Sequence, residues 1–218
     1  MNRVKTMLVS ELADRADVPL ATVKYYLREG LLPPGEVVGP RRAEYDEAHL
    51  RRLRVLRALR EVGGASVSAL QVIVDAVEDD ARPSHEIFCE IADALSPPLP
   101  DETQRPDPEL GRSVDAAIEA VGWSDIRPDA AARSRLDAVV QLGGAELLTV
   151  NPEILGYYAR LADELCRTEL QLVDPTKDRQ GTLEDMVVGE AVFGEILALF
   201  RRLGHEHYDE QRARAGAV

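Results

Sequence analysis

The sequence predicts an all-α fold with one small β wing, and three observations lead to this prediction. Aromatic residues make up only 5% of the 218 residues, so the core must consist mainly of Ala, Leu and Val, which favours helices. Apolar residues recur at helical spacing after residues that cap helices well, such as Asp46 and Ser66. Strand signals are sparse, and the clearest one is a short hairpin over residues 35–45 with Gly39-Pro40 at its bend.

The first thirty residues predict two short helices joined by a tight turn. Ser10 is a suitable N-cap for a helix over about 10–16. The residues Asp17-Val18-Pro19 predict the turn, and a second helix over about 20–29 is expected to end at Gly30.

Three further helices are predicted before the middle of the chain. Asp46 caps the first of them, which ends at Gly63-Gly64 and carries an apolar stripe, while its arginines fill the remaining sides. Ser66 is expected to cap the next helix, and Ser84 the following one over 84–95. The arginines are those at positions 51, 52, 54, 57 and 60.

A proline-rich segment from Ser96 to Pro108 divides the chain, because so many prolines are incompatible with a helix or a central strand. We therefore expect a domain over 1–78, a short helix and linker over 79–108, and an all-helical bundle over 109–218. The helices expected in the bundle cover about 108–121, 128–142, 144–149, 152–172 and 182–203, with a tail at 205–213.

The last long helix, TLEDMVVGEAVFGEILALFRRLG, is hydrophobic around most of its circumference. A helix of this kind is buried on several sides. The sequence leaves open whether it lies in the centre of its domain or in a subunit interface.

The charge of the chain is unevenly distributed. The net charge is −13, but residues 1–78 carry 12 Lys and Arg against 11 Asp and Glu, whereas the remainder carries 14 against 28. Because the acidic remainder repels phosphate, any contact with nucleic acid must be local to the N-terminal part.

Several classes of protein are excluded by what the sequence lacks. It has no apolar run of 18 residues for a membrane span, and its charged N-terminus does not resemble a secretory signal, so we expect a cytoplasmic protein. Cys89 and Cys166 have no Cys or His neighbours at metal-ligand spacing, so we expect both to be buried, unbridged residues. No catalytic motif is present, and we expect neither enzymatic activity nor a cofactor.

The stretch TVKYYLREGLL, which begins at Thr22, carries the strongest functional signal. Two short helices, a basic hairpin and a further helix pair are typical of a winged helix-turn-helix DNA-binding domain. In such a domain Thr22 can donate hydrogen bonds to DNA, and Lys24 and Arg28 can neutralise phosphates. Arg41 and Arg42 lie on the predicted wing.

Adjacent tyrosines on a helix point about 100° apart, so both rings are not expected in one small core. A tyrosine hydroxyl can bind a phosphate oxygen, which favours Tyr25 and Tyr26 as DNA contacts. The alternative is that one ring, Tyr26, packs inside the domain.

The residues ELADRADVPLATVKYYLREGLLPP, followed by a basic wing that ends in tyrosine and by LRRLRVLRALREVG, resemble the DNA-binding domain of MerR-type transcriptional regulators. The family's second helix ends in Arg-Tyr-Tyr-x-x-x-Gly-Leu-Leu, and here Lys24-Tyr25-Tyr26 and Gly30-Leu31-Leu32 stand at that spacing. The resemblance covers roughly residues 7–78.

The resemblance implies roles for particular residues. Tyr25 and Tyr26 would approach the DNA backbone, Lys24 would bind phosphate, and Arg60 stands where family members place a cation that grips the central DNA. Ala43 occupies the position at which the family wing usually carries an arginine, so wing contacts would shift to Arg41 and Arg42.

The resemblance also implies partners, namely double-stranded DNA, a second copy in a homodimer, and RNA polymerase at the promoter. The family forms its dimer through a long helix directly after the DNA-binding domain. Only residues 84–95 are available for that helix here, so we expect the C-terminal helices to share the interface.

The C-terminal helices are expected to bind a small organic effector, because the cysteines of metal-sensing relatives are absent. Apolar and aromatic side chains commonly line such pockets. The alternative is that these scarce aromatics are simply core residues. The candidates are Trp123, Tyr157, Tyr158, Met186, Phe193 and Phe200.

Together these observations predict a DNA-binding transcriptional regulator with a helical effector domain. The alternative is a non-enzymatic protein whose N-terminal module is architectural and whose helical part binds or sequesters a partner.

Overall fold

A computed structural model of the chain describes residues 6–39, 42–96, 108–127, 129–144, 150–174 and 176–214. The described part is mostly helical and contains one two-stranded antiparallel sheet, which confirms the predicted fold class. The elements are α1 (Val9–Ala16), α2 (Leu20–Arg28), β1 (Glu36–Gly39), β2 (Arg42–Glu44), α3 (Glu47–Glu61), α4 (Val67–Glu78), α5 (Ser84–Leu95), α6 (Pro108–Ala120), α7 (Ala131–Gly144), α8 (Pro152–Leu170) and α9 (Arg179–Arg214).

The chain forms two compact units that differ from the predicted division. Unit 1 contains Met1–Asp79 together with Glu184–Val218, and unit 2 contains Asp80–Leu183. The predicted proline-rich linker at 96–108 and the predicted helix at 144–149 lie almost entirely outside the described residues.

The final helix, α9, is continuous over 36 residues, whereas the sequence predicted a helix and a separate tail. The prediction treated Gly204 as a break, but a glycine inside a helix costs only about 1 kcal/mol relative to alanine. The backbone hydrogen bonds therefore continue through this position.

The first helix of the helix-turn-helix begins at Val9, one residue before Ser10, which the sequence predicted as its cap. Leu8 occupies the N-cap position and makes no side-chain cap hydrogen bond, so the prediction for Ser10 is wrong. The reason is that the backbone N–H of Leu12 already donates to the carbonyl of Leu8 at 2.9 Å, which places Ser10 inside α1. The turn follows at Asp17, which has a left-handed backbone with φ 54°.

Of the other three predicted caps, two are confirmed and one is wrong. Asp46 Oδ1 accepts hydrogen bonds from the backbone N–H groups of Ala48 and His49 at 3.0 and 3.1 Å. Ser66 Oγ caps α4. At α5 the N-cap position is Pro83, and Ser84 is already the first helical residue.

Arg52 is buried, although the sequence analysis placed it outside the apolar stripe of α3. Only 7% of the residue is exposed. Its Nε donates to the carbonyl of Leu31 at 3.0 Å, and its Nη2 pairs with Glu78 Oε1 at 2.8 Å. Arg52 therefore ties the segment after α2 to the end of α4.

Two further arginines of α3 hold the helix-turn-helix turn. Arg54 donates to the carbonyl of Arg15, and Arg57 donates to that of Ala16, each at 3.2 Å. Arg57 also pairs with Asp17 at 2.8 Å. These carbonyls belong to the last turn of α1, where no partner exists within the helix, so the arginines satisfy them.

The core of the N-terminal part of unit 1 is built mainly from leucine and other aliphatic side chains contributed by α1 to α4 and by the segment after α2. This agrees with the composition, which left few aromatics for a core. The largest of its fully buried side chains are Leu12, Val23, Leu31, Leu32, Leu50, Leu53, Leu56, Leu59 and Leu70.

Unit 2 has a smaller core, in which Val114 and Ala117 of α6 meet Val140 of α7 and Leu155 of α8. Neither cysteine forms a disulfide. Cys166, on an outer side of α8, is exposed, and Cys89 is half-buried, so the prediction that both cysteines are buried is wrong for Cys166 and is met only in part for Cys89.

Candidate nucleic-acid interface

Helix α2 has an inner face and an outer face. Val23 and Tyr26 are buried, whereas Ala21, Lys24 and Arg28 are exposed. Residues three and four apart lie on one side of a helix, so these three exposed residues form one continuous outer face.

Tyr25 and Arg28 are arranged together on this outer face. The guanidinium carbon of Arg28 lies 5.1 Å from the ring centroid of Tyr25, a cation–π distance. Arg28 Nε also pairs with Glu29 Oε1 at 3.1 Å, although the side chain stays 70% exposed. The ring therefore positions a cation that still faces solvent.

Tyr26 points into the domain, as in the alternative raised by the sequence. It is 4% exposed, and burial raises the pKa of its hydroxyl, while the nearby charge of Arg60 acts in the opposite direction. The packing of its ring argues for a structural role rather than a DNA contact. Its ring centroid lies 6.0 Å from that of Tyr25, so the two neighbours diverge as helical geometry requires.

Arg60 lies near the end of α3 and is exposed. Its Nη1 donates to the carbonyl of Ala65 at 2.8 Å. A guanidinium has five N–H donors, so this bond fixes the position of the group and leaves further donors for another acceptor.

The wing is formed by β1 and β2, with a register irregularity between Val37 and Gly39. Arg42 is 62% exposed at its side chain and pairs with Glu44 at 2.9 Å. Arg41, the other predicted wing cation, lies outside the described residues. At the base of the wing, a Cβ on Gly35 would lie 2.7 Å from the carbonyl oxygen of Glu44, so the close approach of the strands requires glycine there.

The wing also exposes apolar side chains that the sequence analysis did not single out. Val37 is 78% exposed and Val38 is 47% exposed. The sequence feature that could have predicted this exposure is the hairpin itself, because a two-stranded wing has no second layer to cover both faces of its strands.

These elements can perform one kind of chemistry, the neutralisation and hydrogen bonding of phosphate oxygens. Two of the exposed cations are paired with neighbouring carboxylates at the surface, and such pairs exchange partners at little cost. The exposed cations are Lys24, Arg28, Arg42 and Arg60. Thr22 is half-buried in the first turn of α2.

The predicted effector residues are divided between the two units. Trp123, Tyr157 and Tyr158 belong to unit 2, whereas Met186, Phe193 and Phe200 belong to the part of α9 in unit 1. Trp123 is half-buried, and its indole N–H donates to Asp163 Oδ1 at 3.0 Å. Tyr157 and Tyr158 are exposed, with their ring centroids 5.9 Å apart.

No metal site and no membrane span are found in the ranges that the structure describes. No group of three or more His, Cys, Asp or Glu side chains there is arranged to hold an ion. No helix there combines the length and the apolar character needed to cross a bilayer.

Two short helices joined by a tight turn, a two-stranded wing and a following helix pair define a winged helix-turn-helix DNA-binding domain. The family model described as MerR HTH family regulatory protein matches residues 7–77. The chain is also similar to a crystal structure from Streptomyces coelicolor A3(2) described as a "putative transcriptional regulator". The identity is 30%, 95% of this chain and 97% of that chain are covered, and the TM-score is 0.74.

A search of curated protein sequences finds no match. The chain belongs to the MerR family of helix-turn-helix regulatory proteins. The resemblance drawn from the tyrosine pair and the Gly-Leu-Leu spacing is thereby confirmed, and the chain is a DNA-binding regulator of transcription.

Proposed function

We propose that the protein binds operator DNA as a homodimer, with α2 of each copy in the major groove and the wing beside it on the backbone. The observation that carries this proposal is the outer face of α2, where Lys24 and the Tyr25–Arg28 pair face solvent within the family's DNA-binding domain.

Each of the proposed contact residues has a role in this arrangement. Thr22, in the first turn of α2, is placed for hydrogen bonds to bases or phosphates. Lys24 and Arg28 neutralise phosphates, and the Tyr25 ring holds the guanidinium of Arg28 in place. Arg42 on the wing extends the contact along the backbone.

Arg60 would reach the central DNA from the end of α3, with its guanidinium oriented by the Ala65 carbonyl. Tyr26 is left out of the proposed contacts because its ring fills the core between α2 and its neighbours. RNA polymerase at the promoter is the proposed downstream partner, on the basis of family membership.

Effector binding is the proposed role of unit 2. The exposed pair of Tyr157 and Tyr158 supports a ligand with apolar or aromatic character. Trp123 is the one tryptophan in the sequence, and it is linked to α8 through Asp163. Its fluorescence emission therefore reports on ligands that bind near this helix.

The DNA contact is tested with the duplex that lies upstream of the protein's own gene. Replacing Lys24 with alanine removes one phosphate contact from each copy, so affinity should fall for all DNA sequences and the salt dependence of dimer binding should flatten by about two units of slope. Fluorescence anisotropy titrations at several salt concentrations measure both quantities. Lys177→Ala in unit 2 is the matched control and should leave them unchanged.

Affinity that is unchanged by both Lys24→Ala and Tyr25→Ala would remove α2 from the proposed interface. Equal affinity of the wild type for its own upstream duplex and for an unrelated duplex would favour the architectural alternative. A regulator is expected to prefer its specific site by a factor of roughly a thousand or more.

A further inference from the structure

The two strands of the wing carry an apolar patch that is largely open to solvent. Val37 of β1 is 78% exposed, and its neighbour Val38 is 47% exposed. Val37 pairs directly with Ala43 of β2, and paired residues of two strands project from the same face of a sheet. We call these three residues the wing patch: Val37, Val38 and Ala43.

The opposite face of the wing is polar and is paired within itself. Glu36 stands in register with Glu44, and Arg42 Nη2 donates to Glu44 Oε1 at 2.9 Å. Thr6 Oγ1 donates to the other carboxylate oxygen of Glu44 at 2.6 Å. In the described strands this face has one cation against two carboxylates, so its attraction for phosphate is offset.

The register of the hairpin keeps the two faces apart. Side chains alternate between the faces along a strand, so Ala43 projects away from Arg42 and Glu44. Val38 stands at the register irregularity between Val37 and Gly39, where an extra residue has no single partner on β2. The wing patch is therefore an uncharged surface next to a polar one.

We propose that the wing patch packs against the deoxyribose edges of the DNA backbone, with Val37 making the largest contact. The inference rests on the proposed function, which places the wing on the backbone beside α2. Between its phosphates, a DNA strand offers the apolar C–H groups of its sugars. A branched aliphatic side chain can pack against these groups, although it cannot bind a phosphate.

Two observations favour DNA as the occupant of the wing patch. The patch continues the proposed interface, because β1 follows α2 closely along the chain within one DNA-binding domain. The patch also carries no charge, so it can approach a backbone whose phosphates repel the two carboxylates of the other face.

This apolar contact is compatible with the phosphate contact proposed for Arg42. The side chain of Arg42 is 62% exposed, and its long stem can carry the guanidinium to a phosphate next to the same sugar. The two contacts differ in one measurable respect. Packing against sugars releases no counterions, so the affinity that the wing patch adds is not weakened by salt.

The test uses Val37→Ala in the full chain, which shortens the exposed side chain and adds no charge. The affinity of the dimer should fall roughly tenfold, by the same factor for the operator and for an unrelated duplex. The slope of affinity against salt concentration should remain that of the wild type, whereas Lys24→Ala should flatten it. Fluorescence anisotropy titrations at several salt concentrations measure both quantities.

Two further variants complete the test. Val139→Ala, at a valine 49% exposed on α7, is the matched control and should leave the affinity unchanged. Val37→Lys places a cation beside the backbone in each copy, so the salt dependence of dimer binding should steepen by about two units of slope. Circular dichroism checks that all variants are folded at the temperature of the titrations.

Unchanged affinity of Val37→Ala would overturn the inference, and so would a loss of affinity with a flatter salt slope, because an ionic contact would then have been lost. A loss confined to the operator would assign the wing patch to a base edge, such as the thymine methyl group, and not to sugars. Failure of the proposed function looks different. Lys24→Ala and Tyr25→Ala would then leave the affinity unchanged, while Val37→Ala still weakened binding to both duplexes.

Discussion

At the scale of single residues, Asp46 determines where α3 begins. Its carboxylate accepts two backbone hydrogen bonds, and His49 Nδ1 donates a third to the same Oδ1 at 2.6 Å. The side-chain hydrogen bond with His49 is the largest cause that lowers the pKa of the Asp46 carboxyl group, and the backbone N–H groups add to it. The cap therefore stabilises the ionised form.

Replacing Asp46 with alanine should lower the free energy of unfolding by about 1 kcal/mol near neutral pH. Because the folded pKa lies below the unfolded one, this stabilisation is fully present above the ordinary carboxyl pKa of about 3.9 and is lost as pH falls through the folded value. Urea denaturation of the wild type and of Asp46→Ala, at neutral and at acidic pH, measures the difference in their free energies of unfolding.

Asp46→Asn serves as the control, since asparagine caps helices about as well but does not ionise. A difference between wild type and Asp46→Ala that is the same at both pH values would show that the charge of the cap contributes nothing.

The tyrosine pair shows how far a residue pattern can be used. Helical geometry alone predicted that Tyr25 and Tyr26 diverge, and they do. Which ring turns inward depends on how α2 packs against the rest of the core, and this is a tertiary property. The sequence could therefore offer the burial of Tyr26 only as an alternative.

At the scale of elements, the end of α2 decides the path of the chain into the wing. Gly30 has φ +75°, a left-handed conformation that other residues adopt at a cost. The backbone N–H groups of Leu31 and Leu32 both donate to the carbonyl of Tyr26, and both leucine side chains are fully buried. A single glycine thus allows the helix to end and the core to be filled directly after it.

Gly30→Ala should destabilise the protein by about 1 kcal/mol through backbone strain alone, because a Cβ there meets no other atom within 4 Å. Gly111→Ala is the matched change, at a helical glycine in α6 that is equally open. It should stabilise by up to about 1 kcal/mol, since alanine is the better helix former. In thermal unfolding, the midpoint temperature should fall for Gly30→Ala and rise for Gly111→Ala. A change of the same sign in both variants would contradict the account.

Most helices could be predicted because their signals are local, whereas the contacts of α3 could not. Asp46, Ser66 and Gly30 act on neighbours within a few positions along the chain. Arg57 instead bonds the carbonyl of Ala16, 41 positions away, and no periodicity shows such a pairing. The continuity of α9 was missed for a different reason, because a helical glycine and a terminating glycine look alike in sequence.

At the scale of the whole molecule, the excess of acidic residues and the residues proposed to contact DNA lie in different parts of the sequence. The excess of negative charge lies after residue 78, while the exposed cations of α2, α3 and the wing lie before it. Composition predicted this separation. It did not predict that residues 184–218 join the N-terminal domain in unit 1, since that depends on distant contacts such as Arg51–Glu184.

The most direct test of the central claim attaches a DNA-cleaving iron chelate to α2. Ala21 is exposed at the start of this helix, so Ala21→Cys in a background of Cys89→Ser and Cys166→Ser provides one attachment point. If α2 of each copy enters the groove, the operator should be cut in two clusters related by two-fold symmetry. Full occupancy of the operator with no cuts, or with cuts in a single cluster, would contradict the account.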